Sequence, residues 1–326
     1  MKILFSILFL LNVLVPVFAD ETVGAQALLE KIQAASKNQS YAGIFVLQNG
    51  NQLSSSRIIH SYEAGDEQEK IEKLDGLRRV YVRRNDDVIS YQPDTRILRS
   101  EKRQSQDMFP AVLSFNNRSL NDHYVFRLAE VARVAGVDCR MILIQPKDTM
   151  RYGYRLCAAI PSNLMVLAQT ADLNNQILEQ IAFTSLNFGP VDSRNLKVEY
   201  QDTSAWKSVH DAVAVTTESG WTVNNLPAGF RKMREVRRLI GAGAESVSGS
   251  KPAELHEVLQ MVFSDGLASV SVFIEPVSVA HRAGVVRQGA TTIAGFQSGN
   301  FWVTLVGEVP VALIRLLADS IEYKAK

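Results

Sequence analysis

The stretch from Val137 to Pro190 constrains this chain more than any other. It reads VDCRMILIQ, a PKDT turn, MRYGYRLCAAI, PSN, LMVLAQTAD, LNN, and QILEQIAFTSLNFGP. Short apolar runs rich in Val, Ile, Tyr and Phe, punctuated by Pro, Asp and Asn clusters, predict consecutive antiparallel strands. Such a meander forms the floor of a large sheet. Both cysteines, Cys139 and Cys157, fall in its first hairpin. With the loop at Pro146 to Met150, Gln145 faces Arg151 and Cys139 stands directly opposite Cys157, at the Cα separation of about 4.5 Å of a non-hydrogen-bonded pair. A one-residue change in the loop sends the two side chains to opposite faces. A disulfide and a pair of buried thiols therefore both stay open.

The first residues read as a targeting signal. Lys2 supplies the positive end, Ile3 to Val17 is almost wholly apolar, and Val17, Phe18 and Ala19 make a small-residue cleavage site before Asp20. Residues 1–19 are expected to be removed on export. The apolar run falls short of the roughly 20 residues of a membrane helix, and no later run reaches that length. No cysteine follows the cleavage site to carry a lipid anchor of the bacterial lipoprotein kind. The expectation is a soluble protein in an oxidising compartment, where a disulfide persists.

The remaining chain is long enough for two ordinary domains. The full sequence has 35 basic and 34 acidic side chains, and loss of Lys2 with the signal leaves 34 of each, so overall charge names no partner and gives no sign of nucleic-acid binding. The distribution says more. Arg78 to Arg103 holds eight basic residues against four acids, and Arg231 to Arg238 (RKMREVRR) holds five against one. Such clusters meet phosphates or an acidic partner segment, or they guard a solvated strand edge.

VGAQALLEKIQAASKN places Ala25, Leu28, Leu29, Ile32 and Ala35 on one helical stripe. Strands are expected at YAGIFVLQ, Gln52 to Tyr62, EKIEKLD, LRRVYVRR, DVISYQP and TRILRS, and MFPAVLSF reads as a helix or lid-like loop. HYVFRLAEVARVAG leads into the meander. The fold class is α+β and strand-rich, one large curved antiparallel sheet with few helices to cover it. Its apolar side is filled by the N-terminal helix and the Met108 to Phe115 segment, or by a hydrophobic ligand. The polar run around Asp202 to Glu218 reads as a linker. This divides the chain into a large domain, 20–202, a linker, 203–218, and a smaller α+β domain, 219–326. In the latter, Asp265-Gly266 is expected as a two-residue hairpin turn, and TTIAGFQSGNFWVTLVG as a second hairpin. A closing helix follows Pro310, with Val311, Ile314, Leu317 and Ile321 on one stripe. Gly241 to Gly249 reads as a loop.

No catalytic constellation emerges. His256-Glu257 lacks the second ligand of a zinc-protease helix, since position 260 is Gln, and the run reads as a strand. Ser248 and Lys251 have the S-x-x-K spacing without its companion motifs. There is no G-x-S-x-G, P-loop or dinucleotide fingerprint. His60, His123, His210, His256 and His281 are dispersed, and two cysteines alone do not make a structural zinc site. The expectation is a binding protein rather than an enzyme, with no metal or cofactor.

The ordered series GLRRVYVRRNDDVISYQP, AGVDCRMILIQPKDTMRYGYRL, WTVNNLPAGF, FSDGLASVSVFI and VGEVP, behind a signal peptide, resembles the RseB/MucB family of periplasmic regulators of the sigma-E envelope stress response. The resemblance implies a LolA-like half-barrel covered by helices, joined to a smaller C-terminal domain. It implies binding to the periplasmic domain of a transmembrane anti-sigma factor (RseA/MucA-like), protection of that factor from regulated proteolysis, and release by lipid or lipopolysaccharide. On this reading Arg78, Arg79, Arg83, Arg84, Arg231, Lys232, Arg234, Arg237 and Arg238 pair with lipid phosphates or partner acids. A periplasmic lipid or lipoprotein carrier of the LolA type is the alternative. Apolar edges of an open sheet leave a homodimer open.

Overall fold

The structure, a computed structural model, describes residues 18–102, 120–200, 202–210, 213–215, 219–241, 255–279 and 281–324. The hydrophobic part of the expected signal, the Met108 to Phe115 segment, the Ser248 and Lys251 pair and most of the Gly241 to Gly249 loop lie outside the described residues.

Helix α1 (Phe18–Asn38) precedes six strands, β1 (Tyr41–Asn49), β2 (Gln52–Glu63), β3 (Asp66–Lys73), β4 (Val80–Arg84), β5 (Asp87–Gln92) and β6 (Ile97–Lys102). A short α2 (Leu120–His123) leads into β7 (Tyr124–Val134), β8 (Val137–Pro146), β9 (Gly153–Ala159), β10 (Met165–Ala171) and β11 (Ile177–Phe188). Next come β12 (Lys207–His210), β13 (Val213–Val215), β14 (Trp221–Val223), β15 (Arg231–Gly241), β16 (Leu255–Ser264) and β17 (Ser269–Pro276). The chain closes with β18 (Gly284–Gln288), β19 (Thr291–Ser298), β20 (Phe301–Gly307), α3 (Val311–Ala318) and β21 (Ile321–Tyr323). Twelve strands form one sheet in the order β12-β6-β5-β4-β3-β2-β1-β11-β10-β9-β8-β7. Seven form a second, β13-β15-β16-β17-β20-β19-β18, and β14 pairs with β21.

The expected helical stripe is the buried face of α1. Ala25, Leu29 and Ile32 pack on Phe126, Ile142, Ile144 and Leu156, while Tyr41, Phe45, Ile58, Cys139, Cys157, Val166 and Phe183 form a separate core. Adjacent residues of β8 and β9 thus enter different cores, because successive strand side chains point to opposite faces. A bulge between Leu128 and Val131 shifts β7 by one residue. Tyr124 and Phe126 before it face α1, and Ala132 and Val134 after it face the core around the cysteines.

Cys139 and Cys157 form a disulfide, with Cα atoms 5.4 Å apart. They are diagonal rather than directly opposite, for Cys139 pairs with Ala159 and Met141 with Cys157. The register is displaced by two residues from expectation because β8 and β9 separate after Pro146 and resume only at Gly153. In that loop the Asp148 carboxylate accepts from the Met150 amide, and Arg151 turns inward. A two-residue displacement keeps both sulfurs on one face.

In the smaller sheet, Met261, Val272 and Leu305 pack under Leu313, Ile314 and Leu317 of α3. Two expectations are corrected here. The helix ends at Ala318, where the Ser320 amide bonds the Leu317 carbonyl, and Ile321 lies in β21 instead. The β16–β17 turn spans Asp265 to Ala268, not two residues, because the Asp265 carboxylate caps the amides of Leu267 and Ala268. The segment expected as a linker contributes β12, parallel to β6, and β13, antiparallel to β15.

Candidate partner-binding surface

The two basic clusters lie in different sheets. Arg78 precedes β4 and forks onto Asp94 through Nε and a terminal nitrogen, at 3.0 and 2.9 Å. Arg79 lies beside the Tyr81 hydroxyl at 3.4 Å. Arg84 is exposed at the end of β4. Arg83 corrects the expectation of a surface cation. It is buried, because β4 alternates inward at this position, and it donates to Glu67 at 2.6 Å with Glu69 at 3.4 Å. His60, buried and stacked on Tyr41, lies 3.1 Å from the same Glu67 carboxylate. Burial pushes Glu67 up, but the bonds from His60 and Arg83 outweigh it and hold the carboxyl at about 2.

On β15, Arg231 and Lys232 are exposed, and Lys232 bonds the buried Glu235 at 2.6 Å. Arg237 pairs with Glu257 across to β16. Arg234 reaches Gln260 at 3.4 Å and, like Arg238, is half-buried. His256, whose motif was set aside, lies in β16 as expected. Among the described residues, no group of His, Cys, Asp and Glu could hold a metal ion.

The junction between the sheets carries the most concentrated polar chemistry. Arg151, from the β8–β9 loop, and Asp265, from the β16–β17 turn, are both fully buried and meet at 2.5 Å. Asp265 also accepts from the Tyr124 hydroxyl at 3.0 Å. The other guanidinium nitrogens of Arg151 bond Asp148 and the Ala228 carbonyl. Its Cζ lies over the Phe230 ring, 5.0 Å from the centroid. Two glycines let the backbones close. A Cβ on Gly229 would fall 2.4 Å from the His123 ring, and one on Gly289 would fall 1.9 Å from Asn49 Oδ1. Gln288 donates to Gln52 at 2.7 Å beside this contact. Gln52 also lines a cleft of about 480 Å³ with Leu47, Asn49, Leu53 and Lys73, where Leu53 is 69% exposed.

The sequence offered no route to the Arg151–Asp265 pair. Asp265 carries a turn signature and Arg151 lies in a loop, and nothing local announces a partner 114 residues away.

Comparison with known proteins follows this architecture. The family model described as the MucB/RseB N-terminal domain matches residues 24–208, and that of the MucB/RseB C-terminal domain matches residues 215–322. The chain belongs to the MucB/RseB family. It is 29% identical to the sigma factor AlgU regulatory protein MucB of Pseudomonas aeruginosa, over 98% of each chain. To the sigma-E factor regulatory protein RseB of Escherichia coli K12 it is 24% identical, over 94% of this chain and 93% of the relative. The crystal structure of MucB in complex with MucA(peri) superposes with a TM-score of 0.70 at 26% identity, covering 93% of this chain and all of that one. The P. aeruginosa MucA/MucB complex gives 0.71 at 27% identity, with the same coverage. The family boundary at 208–215 falls where the chain passes from β12 to β13.

Proposed function

We propose that this chain is a periplasmic negative regulator of sigma-E-type signalling. It binds the periplasmic region of a transmembrane anti-sigma factor, shields it from regulated proteolysis, and is released by lipid or lipopolysaccharide. The reading is carried by similarity, over almost the whole chain, to a MucB structure whose partner is MucA(peri). On this reading residues 1–19 are an export signal cleaved after Ala19, and 20–202 and 219–326 are two domains joined through 203–218. The exposed cations Arg78, Arg84, Arg231, Lys232 and Arg237, with the half-buried Arg79, face lipid phosphates or partner acids. Arg83 holds β3 to β4 instead. Acyl chains are taken up on the large domain, each buried CH₂ contributing about 0.8 kcal/mol. Lipid and partner compete if they favour different arrangements of the two domains, since a ligand shifts an equilibrium only by its differential affinity.

The test is a pull-down of the mature protein with the periplasmic region of its own organism's anti-sigma factor, with and without lipopolysaccharide. Binding that lipopolysaccharide abolishes is the expected result. Absence of binding in both conditions overturns the reading.

A further inference from the structure

Among the described residues, β18 is the outer strand of the seven-stranded sheet and pairs only with β19. All five of its residues are exposed, Val285 by 46% and Val286 by 66%. Among the described residues, no backbone group outside the sheet bonds it. Natural sheets blunt such edges with bulges, prolines, charges, very short strands or a covering element. The other edges of the two sheets show these devices. β7 is bulged and lies against α1, and among the described residues β12 and β13 have four and three residues. β18 has neither bulge nor proline, and its register with β19 is unbroken.

Its charge is one-sided. From residue 276 to residue 307 the chain contains no Asp or Glu, and its only Arg or Lys residues are Arg282 and Arg287, flanking and within β18. A second copy of this strand is a poor match, because pairing would gather four arginines with no acid from this stretch to offset them. The Gln288 end of the edge meets Gln52, which lines the cleft with Leu47 and Leu53.

We propose that β18 is an acceptor edge, onto which an extended, acidic segment of the partner adds as an extra strand, with an apolar residue beyond it entering the cleft beside Gln52. Main-chain bonds along the edge supply affinity, and Arg282 and Arg287 select acidic side chains. The inference rests on the anti-sigma factor reading, which supplies the partner.

The test is hydrogen exchange on the mature full-length protein, alone and with the anti-sigma factor's purified periplasmic region, alongside the affinity of the Arg282→Glu/Arg287→Glu variant. The expected result is slowed exchange across residues 284–288 in the complex, with affinity reduced about tenfold or more by the charge reversal. Binding with unchanged exchange at 284–288 overturns the acceptor edge and leaves the anti-sigma factor reading standing. Slowed exchange with unchanged affinity in the variant overturns the acidic chemistry. Slowing that depends on the protein's own concentration, without partner, makes a second copy the occupant and overturns the proposal. No binding at all overturns both readings.

Discussion

Arg151 Nε donates to Asp265 Oδ2 at 2.5 Å between two side chains that are both fully buried, one from each side of the junction between the sheets. Removing one member leaves the other charged in a dry site. Asp265→Leu alone is expected to cost about 3–5 kcal/mol, whereas Asp265→Leu combined with Arg151→Met costs far less than the sum of those two single changes. Urea unfolding of the two single variants and the double variant measures this. Additive losses would show that the two residues act independently.

Close backbone approach makes a second prediction. Gly289 has a φ of +55°, and a Cβ there would strike Asn49. Gly289→Ala is expected to destabilise the junction by about 1–3 kcal/mol through left-handed strain and the clash together. Limited proteolysis should then cut residues 203–218 faster than in the wild type, while far-ultraviolet circular dichroism is unchanged.

The junction also titrates. Burial, followed by the charge of Glu308, pushes the Glu179 carboxyl up to about 7, and burial raises Glu308 as well. The folded protein therefore keeps a proton that the unfolded chain releases near 4.5. Stability from this site is fully present below that value and is lost as pH rises through about 7. Glu179→Gln is expected to flatten this dependence and to stabilise the protein above pH 7 by about 1–2 kcal/mol, after allowance for partial solvent access. Thermal midpoints between pH 4.5 and 8 provide the check.

Cys139 and Cys157 close a loop across a sequence separation of 18, and both are inaccessible to solvent. Loop-closure entropy predicts that Cys139→Ala/Cys157→Ala lowers stability by about 3 kcal/mol. In the native protein, mild reductant should leave the bond intact on the timescale over which it reduces the bond in urea. Thiol titration under both conditions decides this.

Neighbouring arginines should differ sharply. Arg83→Ala leaves Glu67 and Glu69 facing each other without their buried cation and is expected to cost about 3–5 kcal/mol. Arg84→Ala, one residue on and exposed, should stay within about 0.5 kcal/mol of the wild type. Guanidinium denaturation of both variants tests the contrast.

Local patterns carried most of the fold. The stripe of α1, the meander and the β19–β20 hairpin were readable because period and turn chemistry act over a few residues. Register was less so. The face shared by Cys139 and Cys157 followed from strand alternation, but their diagonal placement depended on how far the loop after Pro146 opens to seat Arg151. The basic runs were legible as composition, yet which cations are exposed depended on strand phase, and that phase placed Arg83 inside and Arg84 outside. The junction was not legible at all, because its bonds join segments from 77 to 236 residues apart.

The passage from β12 to β13 sets how the two halves can move. The first strand is stitched to β6 of the large sheet and the second to β15 of the small one. His210 and Val213 are three peptide units apart, so their Cα atoms are separated by at most about 11 Å. The two bodies are therefore joined at a pivot rather than on a tether. At that point neither can drift away without a strand being peeled from one sheet.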